Sequence, residues 1–307
     1  MAKRKKTYSK SKKQLESFIA TGVLIAVAAF IYFFAPDLFN GDAQRTGKVV
    51  LDGTMQVHFI DVGQGDSALI VTPDGKNILI DAGTNDSEKA LKAYLDSQNV
   101  VDIEYAVMTH PHEDHIGGAD MIFDTYKVKN AILPDVTHDT MTFERMLVTI
   151  ERNNTNLLTS KVGDVYTVGD VSFKILAPVK AKYSSLNDYS VVVRVDYGGT
   201  SFMFTGDAEK LSEKDMLETH DRSEFACDVL KVGHHGSTTS TSPDFLRAVN
   251  PKSAVISCGK DNSYGHPHRE TVNSLDGEGI EILRTDLLGN IVFKADGAEV
   301  TYFKPAA

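Results

Sequence analysis

The stretch that decides the fold is Thr109-His110-Pro111-His112-Glu113-Asp114-His115, in which four potential metal ligands fall within six residues. Imidazole nitrogens and carboxylate oxygens are ligands that zinc, manganese and iron accept, and so dense a set seldom arises from packing alone. The run follows the apolar segment 104–108 and precedes residues 116–118, where a helix is expected to begin. Ligands at a strand end and a helix start can converge on one point, so the pattern predicts a metal site. The alternative interpretation is a polar loop with two surface histidines.

The rest of the chain alternates apolar segments with amphipathic ones. Strands are predicted at 55–60, 67–72, 77–81, 104–108, 128–133, 171–176, 189–196, 200–205, 228–233, 253–257, 280–284 and 290–294. Helices are predicted at 87–98, 116–126, 140–152, 208–219, 243–249 and 268–276. Two sheets covered by helices would bury these strands, so the pattern indicates an α/β or α+β domain.

Four more segments follow a recognisable order along the chain. They are FIDVGQGDS at 59–67, Thr205-Gly206-Asp207, LKVGHHGS at 230–237 and SYGHPH at 263–268. Together with the histidine-rich run they resemble the metallo-β-lactamase superfamily, and within it the extracellular hydrolase domain of the competence protein ComEC. The resemblance covers about residues 54–304. It implies an α+β fold, the αββα sandwich, with its site at one edge where strand-end loops meet.

The resemblance also implies two divalent metal ions, Zn²⁺ or Mn²⁺. It assigns His110 and His112 to the first ion, and Asp114 and His115 to the second. The residues agree with separate ions, because a tight turn cannot easily direct four neighbouring side chains at one. Asp207 ends a predicted strand, so its carboxylate could bridge both ions, one oxygen to each. The alternative is that Asp207 only caps the following helix.

The sequence departs from the superfamily pattern at the third ligand position. A histidine is expected before the strand that leads to the Thr-Gly-Asp segment, but Asn187-Asp188-Tyr189-Ser190 stands there. We predict that His235, at the end of strand 228–233, completes the first site instead. His234 would then face the substrate and donate a proton or contact a phosphate, although the reverse assignment of the two histidines remains open. Asn187 and Ser190 are expected to support the site or contact the substrate.

The remaining candidates lie near predicted strand ends. The resemblance implies that His266 is the final ligand of the second ion and that Asp81 hydrogen-bonds a ligand histidine. A carboxylate in that position fixes the tautomer of the imidazole and raises its basicity. His268 stands at the start of a predicted helix, where it would contact an anion or cap the helix. The other histidines, His58, His138 and His220, are interpreted as structural or surface residues.

Two bound divalent ions predict hydrolysis without a side-chain nucleophile, because they lower the pKa of a bridging water to about 7. We expect Asp114, Asp207 and His234 to take part directly in catalysis. The resemblance favours a phosphodiesterase or nuclease acting on a phosphodiester, with DNA as a candidate. The alternatives are a phosphorylcholine esterase or other small-ester hydrolase of the cell surface, and a non-enzymatic, metal-stabilised binding module.

The first 53 residues carry a membrane signal. Residues 3–13 contain seven Lys or Arg, and residues 18–35 contain no charge. This predicts a basic cytoplasmic tail (1–16), a single transmembrane anchor (17–38), a linker (39–53) and a hydrolase domain (54–307) outside the cell. A cleaved signal peptide is the alternative, but the apolar segment is long for one.

The basic N-terminal segment and the rest of the chain have net charges of opposite sign. The whole chain carries −10, and residues 14–307 carry −17, from 25 basic and 42 acidic residues. Such a domain repels polyanions at long range, which counts against tight, nonspecific binding of nucleic acid. Two bound divalent cations would reverse the sign locally, so phosphodiester chemistry is not excluded.

Overall fold

The computed structural model describes residues 52–303, whose strands form two sheets. The first sheet contains, in spatial order, β15 (Val300–Phe303), β14 (Ile291–Ala295), β1 (Met55–Phe59), β2 (Ala68–Val71), β3 (Asn77–Ile80), β4 (Asp102–Val107), β5 (Lys127–Leu133) and β6 (Asn156–Thr159). The second contains β13 (Glu281–Arg284), β12 (Ser253–Ile256), β11 (Val229–Lys231), β10 (Thr200–Phe204), β9 (Val192–Tyr197), β8 (Val171–Ala177) and β7 (Val165–Val168).

Helices lie along the chain between these strands. The α-helices are α1 (Glu88–Ser97), α2 (Glu113–Ile116), α3 (Ala119–Thr125), α4 (Met141–Arg152), α5 (Lys210–Thr219), α6 (Pro243–Val249), α7 (Arg269–Gly277) and α8 (Thr285–Leu288). Short 3₁₀ segments span Asn85–Ser87, Asn187–Tyr189, Arg222–Glu224 and Gly233–Gly236.

Three buried apolar clusters hold four layers together. The first lies between the sheets, where Phe59 of one sheet stacks on Phe204 of the other at 5.5 Å between ring centroids. The second joins the outer face of the first sheet to α1, α3 and α4. The third joins the outer face of the second sheet to α5, α6 and α7. Alternate strand residues face opposite sides, so both faces of each sheet are buried, and the result is the expected αββα sandwich.

The direction of the strands determines at which edge of the sandwich the loops that follow them lie. In the first sheet β3, β4, β5 and β6 run parallel, and in the second β10, β11, β12 and β13 do so. Parallel strands bring their carboxyl ends to one edge of a sheet. The residues after β3, β4, β10, β11 and β12 are therefore delivered to a common edge of the sandwich, and they include the candidate ligands.

The structure contains three strands that the sequence pattern did not predict, β6, β7 and β15. All three end a sheet in the spatial order. Leu157 of β6 is 49% exposed and Val165 of β7 is 60% exposed. Edge strands bury little side-chain surface, so they lack the apolar pattern that marks the central strands.

Two further predictions need correction. The helix expected over 116–126 begins earlier, as α2, and is interrupted at Gly117-Gly118 before α3. Gly117 packs against the backbone of Thr84 and Asn85, where any Cβ would collide. The strand expected over 189–196 begins at Val192, because Asn187–Tyr189 forms a 3₁₀ turn.

The predicted tail, anchor and most of the linker lie outside the described residues. Within residues 52–303, no helix has both the length and the apolar character needed to cross a bilayer.

Candidate metal centre

The loop after β4 brings the His-x-His-x-Asp-His run to the shared edge. Asp114 and His115 lie within α2, and His110 and His112 precede it. His110 and His115 are fully buried, with ring centroids 4.1 Å apart, whereas His112 and Asp114 remain partly exposed. The four side chains thus form one cluster that is open to solvent on one side.

The second sheet contributes Asp207 and the pair His234-His235. Asp207 follows Gly206, whose φ is 50° and whose Cβ, if present, would lie 2.8 Å from Thr109 Oγ1. His234 and His235 have φ of 48° and 53°. This left-handed backbone is uncommon for residues other than glycine, and such strain concentrates at functional sites. Both loops therefore bend sharply in order to approach the first sheet.

Four groups from the two sheets surround one point. One ligand atom from each of Asp114, His115, Asp207 and His235 lies within 4.8 Å of all the others. His115 Nε2 is 3.2 Å from Asp207 Oδ1, and His235 Nε2 is 3.2 Å from Asp114 Oδ2. Ligands about 2.0–2.1 Å from a tetrahedral zinc are roughly 3.3 Å apart. We call these four residues the four-residue group; their spacing fits a divalent ion.

The two histidines of the four-residue group are held in the orientation that a metal ligand needs. His115 donates from Nδ1 to Asp81 Oδ2 at 2.7 Å, and His235 donates from Nδ1 to the Ser257 carbonyl at 2.9 Å. Each Nε2 then carries its lone pair towards the group. His115 Nε2 and Asp207 Oδ1 are buried and make no hydrogen bond to the described residues. Buried polar atoms are rarely left unpaired, and a cation would satisfy both.

The acidic and imidazole side chains of the four-residue group shift one another's pKa values. Burial opposes ionisation of Asp207, but the neighbouring His115 and His235 outweigh it and hold the pKa of Asp207 well below its usual range. Burial likewise disfavours a charged His235, yet Asp207 and Asp66 raise its pKa to about 10. The carboxylates therefore attract positive charge, and a divalent cation would supply it in place of protons.

A second group lies on the other side of Asp207. His110 Nε2 is 2.9 Å from His112 Nδ1 and 3.8 Å from Asp207 Oδ2. Ser190 Oγ accepts from the Asp207 backbone N–H at 3.0 Å and lies 3.4 Å from His110 Nδ1. We call His110, His112 and Asp207 the three-residue group; Asp207 belongs to both groups.

His235 does not complete the three-residue group, which differs from the prediction. Ser257, after β12, accepts its Nδ1–H and turns Nε2 towards Asp114, so His235 lies in the four-residue group. Asn187 occupies the place where the superfamily pattern has histidine, and its Oδ1 is buried without a hydrogen bond to the described residues. His234 is 23% exposed, and its Nε2 is 3.7 Å from Asp207 Oδ2.

His266 lines the cleft and His268 lies beside it, with 4.9 Å between the ring centroids, and both lie outside the two groups. The His266 ring is 6.1 Å from that of His235, which takes the place in the four-residue group that His266 was predicted to fill. Burial, with help from His235, lowers the pKa of His266 to about 4. His268 Nδ1 accepts from the Thr238 backbone N–H at 2.9 Å, so it holds the loop after the histidine pair.

Both groups open into one cleft of about 1100 Å³, including its mouth. Its lining includes Gln64, Glu113, His138 and Tyr264, none of which was predicted at the site. His138, interpreted as structural or surface from the sequence, has its ring 5.9 Å from that of His112. Gln64, Glu113 and Tyr264 lie inside the motifs quoted above, which indicated their neighbourhood but not their place in the cleft, whereas His138 lies outside every motif.

Sequence reasoning also missed Lys231, the last residue of β11. It forms a buried ion pair with Asp66, which lies in the turn between β1 and β2. The available signal was a charged residue within an otherwise apolar strand, Val229-Leu230-Lys231-Val232.

Comparison with known proteins is consistent with this geometry. A model of the metallo-beta-lactamase superfamily matches residues 60–260. ComE operon protein 3 of Bacillus subtilis (strain 168) is 31% identical over 300 residues, which cover 92% of this chain and 37% of that protein. Competence protein ComA of Neisseria gonorrhoeae is 31% identical over 257 residues, which cover 83% of this chain and 34% of that protein. The chain thus spans about a third of these two relatives.

Among solved structures, the metallo-beta-lactamase fold protein YhfI from Bacillus subtilis superposes with a TM-score of 0.54 at 11% identity, covering 78% of this chain and all of that one. This likeness concerns the fold alone. The two curated relatives confirm the resemblance to competence proteins that the ordered motifs indicated. Because the superfamily model covers more than half of the sequence, the chain belongs to the metallo-beta-lactamase superfamily.

Proposed function

We propose that this metal-dependent hydrolase is a two-metal phosphodiesterase, with DNA as the substrate we favour. The observation that carries the proposal is the sharing of Asp207 between the three-residue group and the four-residue group. His110 and His112 would hold one divalent ion, and Asp114, His115 and His235 the other. Bound there, the ions would supply Lewis acidity towards a water and towards the phosphate oxygens.

The protein side chains would then position the reactants and move protons. Asp114 is partly open to the cleft, so its carboxylate can accept a proton from the attacking water. His234 lies on the cleft wall, with Nδ1 hydrogen-bonded to Thr239 Oγ1 at 2.9 Å. This contact orients the ring, so that a proton carried on Nε2 could pass to the leaving oxygen.

The shape of the cleft and the identity of the relatives favour a phosphodiester over a lactam. The cleft is wide and open at its mouth, which admits a chain as well as a small molecule. One of the similar proteins is named for competence. The −17 charge of residues 14–307 opposes DNA at long range, so binding would depend on the ions and weaken when they are removed.

The decisive experiment measures hydrolysis by the full chain in detergent micelles. Metal-stripped protein, reloaded with Zn²⁺ or Mn²⁺, is given bis-p-nitrophenyl phosphate and labelled single- and double-stranded DNA. We expect turnover that Asp207→Ala abolishes and that the matched control Asp244→Ala, a 73% exposed carboxylate on α6, leaves unchanged. If the metal-loaded protein hydrolyses none of these substrates, the proposal is wrong.

A phosphorylcholine ester is the second candidate. Tyr264 is 65% exposed at the cleft, and an aromatic face attracts a quaternary ammonium group. The acidic charge of residues 14–307 suits such a cation better than it suits a polyanion. Release of choline from glycerophosphocholine, compared with cleavage of DNA under the same conditions, separates the two candidates.

The proposed location is the outer face of the cytoplasmic membrane. The basic segment 3–13 and the uncharged segment 18–35 support an anchor at 17–38 with residues 54–307 outside. Protease added to intact cells should remove a tag placed at residue 307. Protection of that tag until the cells are lysed would contradict this orientation.

A further inference from the structure

Lys231 lies at the foot of the metal centre, where a lysine is unexpected. It is the last residue of β11, and only 3% of its side chain is exposed. Val229 packs between the two sheets and Leu230 packs on the outer face, so alternation directs Lys231 between the sheets. Burying an ammonium group is strongly unfavourable unless the charge is paired. Its partners therefore indicate why it is retained.

The contacts of Lys231 join the two sheets beneath the ligands. Its Nζ forms an ion pair with Asp66 Oδ2, from the turn between β1 and β2 of the first sheet. It also donates to the carbonyl oxygen of Gly206 at 3.2 Å. Gly206 lies in the loop after β10 of the second sheet and directly precedes Asp207. Lys231 thus contacts backbone next to the shared carboxylate and a side chain from the opposite sheet.

Asp66 in turn contacts ligand residues from both sheets. Its Oδ1 lies 3.3 Å from Nδ1 of His235, and its Oδ2 lies 3.8 Å from Nδ1 of His115. Its backbone N–H donates to the Asp114 carbonyl at 3.0 Å. An ionised Asp66 in this place favours the Nδ1–H tautomer of the histidines, which leaves each Nε2 available to a metal.

We propose that Lys231 is a positioning residue for the metal centre: through its contacts with Asp66 and with the Gly206 carbonyl it keeps the candidate ligands of the two sheets in register. The inference rests on the fit of the four-residue group to a divalent ion and does not require phosphodiesterase activity. Lys231 touches neither the expected ions nor the substrate, so its effect on metal binding must pass through Asp66 and Gly206.

The sign of its effect distinguishes this role from a simple charge effect. A positive charge near a metal site repels cations, so if Lys231 acted only through its charge, Lys231→Met would tighten metal binding. If it positions Asp66, the same change weakens binding, by about tenfold or more, as is typical when the partner of a ligand is lost. A purely structural role would lower thermal stability and leave the affinity of the folded protein unchanged.

The test uses the full chain in detergent micelles and Co²⁺ as the probe. Affinity is measured by competition with a chromophoric chelator, the visible Co²⁺ spectrum reports ligand geometry, and the melting temperature of metal-free protein reports folding. The variants are Lys231→Met, Asp66→Asn and the double variant. Lys174→Met is the matched control, because it breaks the Lys174–Glu224 ion pair on the same sheet away from the site.

We expect Lys231→Met and Asp66→Asn each to weaken Co²⁺ binding and alter the spectrum, with Lys174→Met unchanged. The double variant should bind no more weakly than Asp66→Asn alone, because both changes act on one linkage. If Lys231→Met does not fold, the double variant, in which no buried charge is left unpaired, should still show the affinity of Asp66→Asn.

Three results would overturn the proposal. They are unchanged or tighter Co²⁺ binding in Lys231→Met, losses of affinity that add in the double variant, and wild-type affinity in the double variant. If wild-type protein binds Co²⁺ and the variants lose affinity as expected, but the wild type hydrolyses no phosphodiester, only the proposed function is contradicted.

Discussion

The Oδ2 atom of Asp81 lies 2.7 Å from Nδ1 of His115, and the same carboxylate accepts the backbone N–H and the hydroxyl of Thr109, each at 2.7 Å. Asp81 therefore fixes both the tautomer of His115 and the start of the ligand-bearing loop. Its φ of 59° shows that the backbone bends into the left-handed region to achieve this.

We predict that Asp81→Asn weakens metal binding by roughly 10–100-fold, because an amide is a poorer acceptor and can present its NH₂ to His115 instead. Chelator competition measures the change, and Asp74→Asn, at an exposed carboxylate paired with Lys76, serves as the control. Equal metal affinity in Asp81→Asn and wild type would contradict the role we give Asp81.

The unequal composition of the two groups predicts two classes of metal affinity. The four-residue group offers two carboxylates and two imidazoles, whereas the three-residue group offers two imidazoles and the shared Asp207. Dialysis against limiting chelator should therefore remove one ion per chain well before the other. Elemental analysis of the partly stripped protein measures the stoichiometry.

Single substitutions test whether the two groups bind separate ions. His110→Ala should lose the weaker ion and keep about one per chain, whereas Asp207→Ala should retain less than one, because it contributes to both groups. His220→Ala, at a histidine bonded to the Leu176 carbonyl, should keep two. Two ions retained by Asp207→Ala would mean that Asp207 is not a shared ligand.

Tyr264 predicts a preference for substrates with an aromatic base. Its ring lies parallel to that of His266, with an interplanar angle of 20° and 5.6 Å between centroids, at the rim of the cleft. Stacking on an aromatic residue contributes about 1–3 kcal/mol per base. Tyr264→Ala should therefore raise KM for thymidine 5′-p-nitrophenyl phosphate roughly tenfold, whereas methyl p-nitrophenyl phosphate should be unaffected.

Tyr264→Phe provides the matched comparison, because it keeps the ring and removes only the hydroxyl. It should behave as wild type on both esters. A rise in KM for both esters in Tyr264→Ala would indicate damage to the site rather than loss of stacking.

The sequence could indicate candidate ligands because residues with ligand chemistry are concentrated locally. The run 110–115 and the segments ending in Asp207 and His235 each stand at the end of an apolar strand. The strand pattern alone indicated an α/β or α+β domain, and the αββα sandwich was expected from the family resemblance. The way in which the structure groups the candidate ligands was harder to predict from the sequence. His235 and His266 both follow parallel strands. Their spacing in the sequence does not predict that the Ser257 carbonyl orients the His235 ring towards the four-residue group.

Long-range pairing was also beyond the sequence pattern. Lys231 and Asp66 are far apart along the chain, and each has an ordinary local interpretation, as a strand residue and as a turn residue. His138 reaches the cleft only because its loop folds back to the Pro111 carbonyl. Contacts of this kind depend on the packing of whole layers. The sequence therefore marks Lys231 as a charge within an apolar strand but does not identify its partner.

His58, on β1 away from the metal centre, predicts a specific pH dependence of stability. It is 2% exposed, and its Nδ1 lies 2.8 Å from the hydroxyl of Tyr94 on α1. Burial, and to a lesser extent the charge of Lys294, lower its pKa from 6.5 to about 4. Since the folded pKa is the lower one, the unfolded chain binds more protons between about pH 4 and 6.5.

Stability from this residue is therefore fully present above pH 6.5 and is lost as the pH falls towards 4. The loss amounts to roughly 3 kcal/mol at most, at about 1.4 kcal/mol per pKa unit. Replacing His58 by Asn removes the titrating group and keeps a polar atom near Tyr94. The free energy of unfolding of wild type and of His58→Asn is measured in urea between pH 4 and 7. As the pH falls, the wild type should lose more stability than the variant. The metal ligands titrate in both proteins, so their contribution cancels in the difference. If the two curves of unfolding free energy against pH are parallel, His58 does not resist protonation in the folded state.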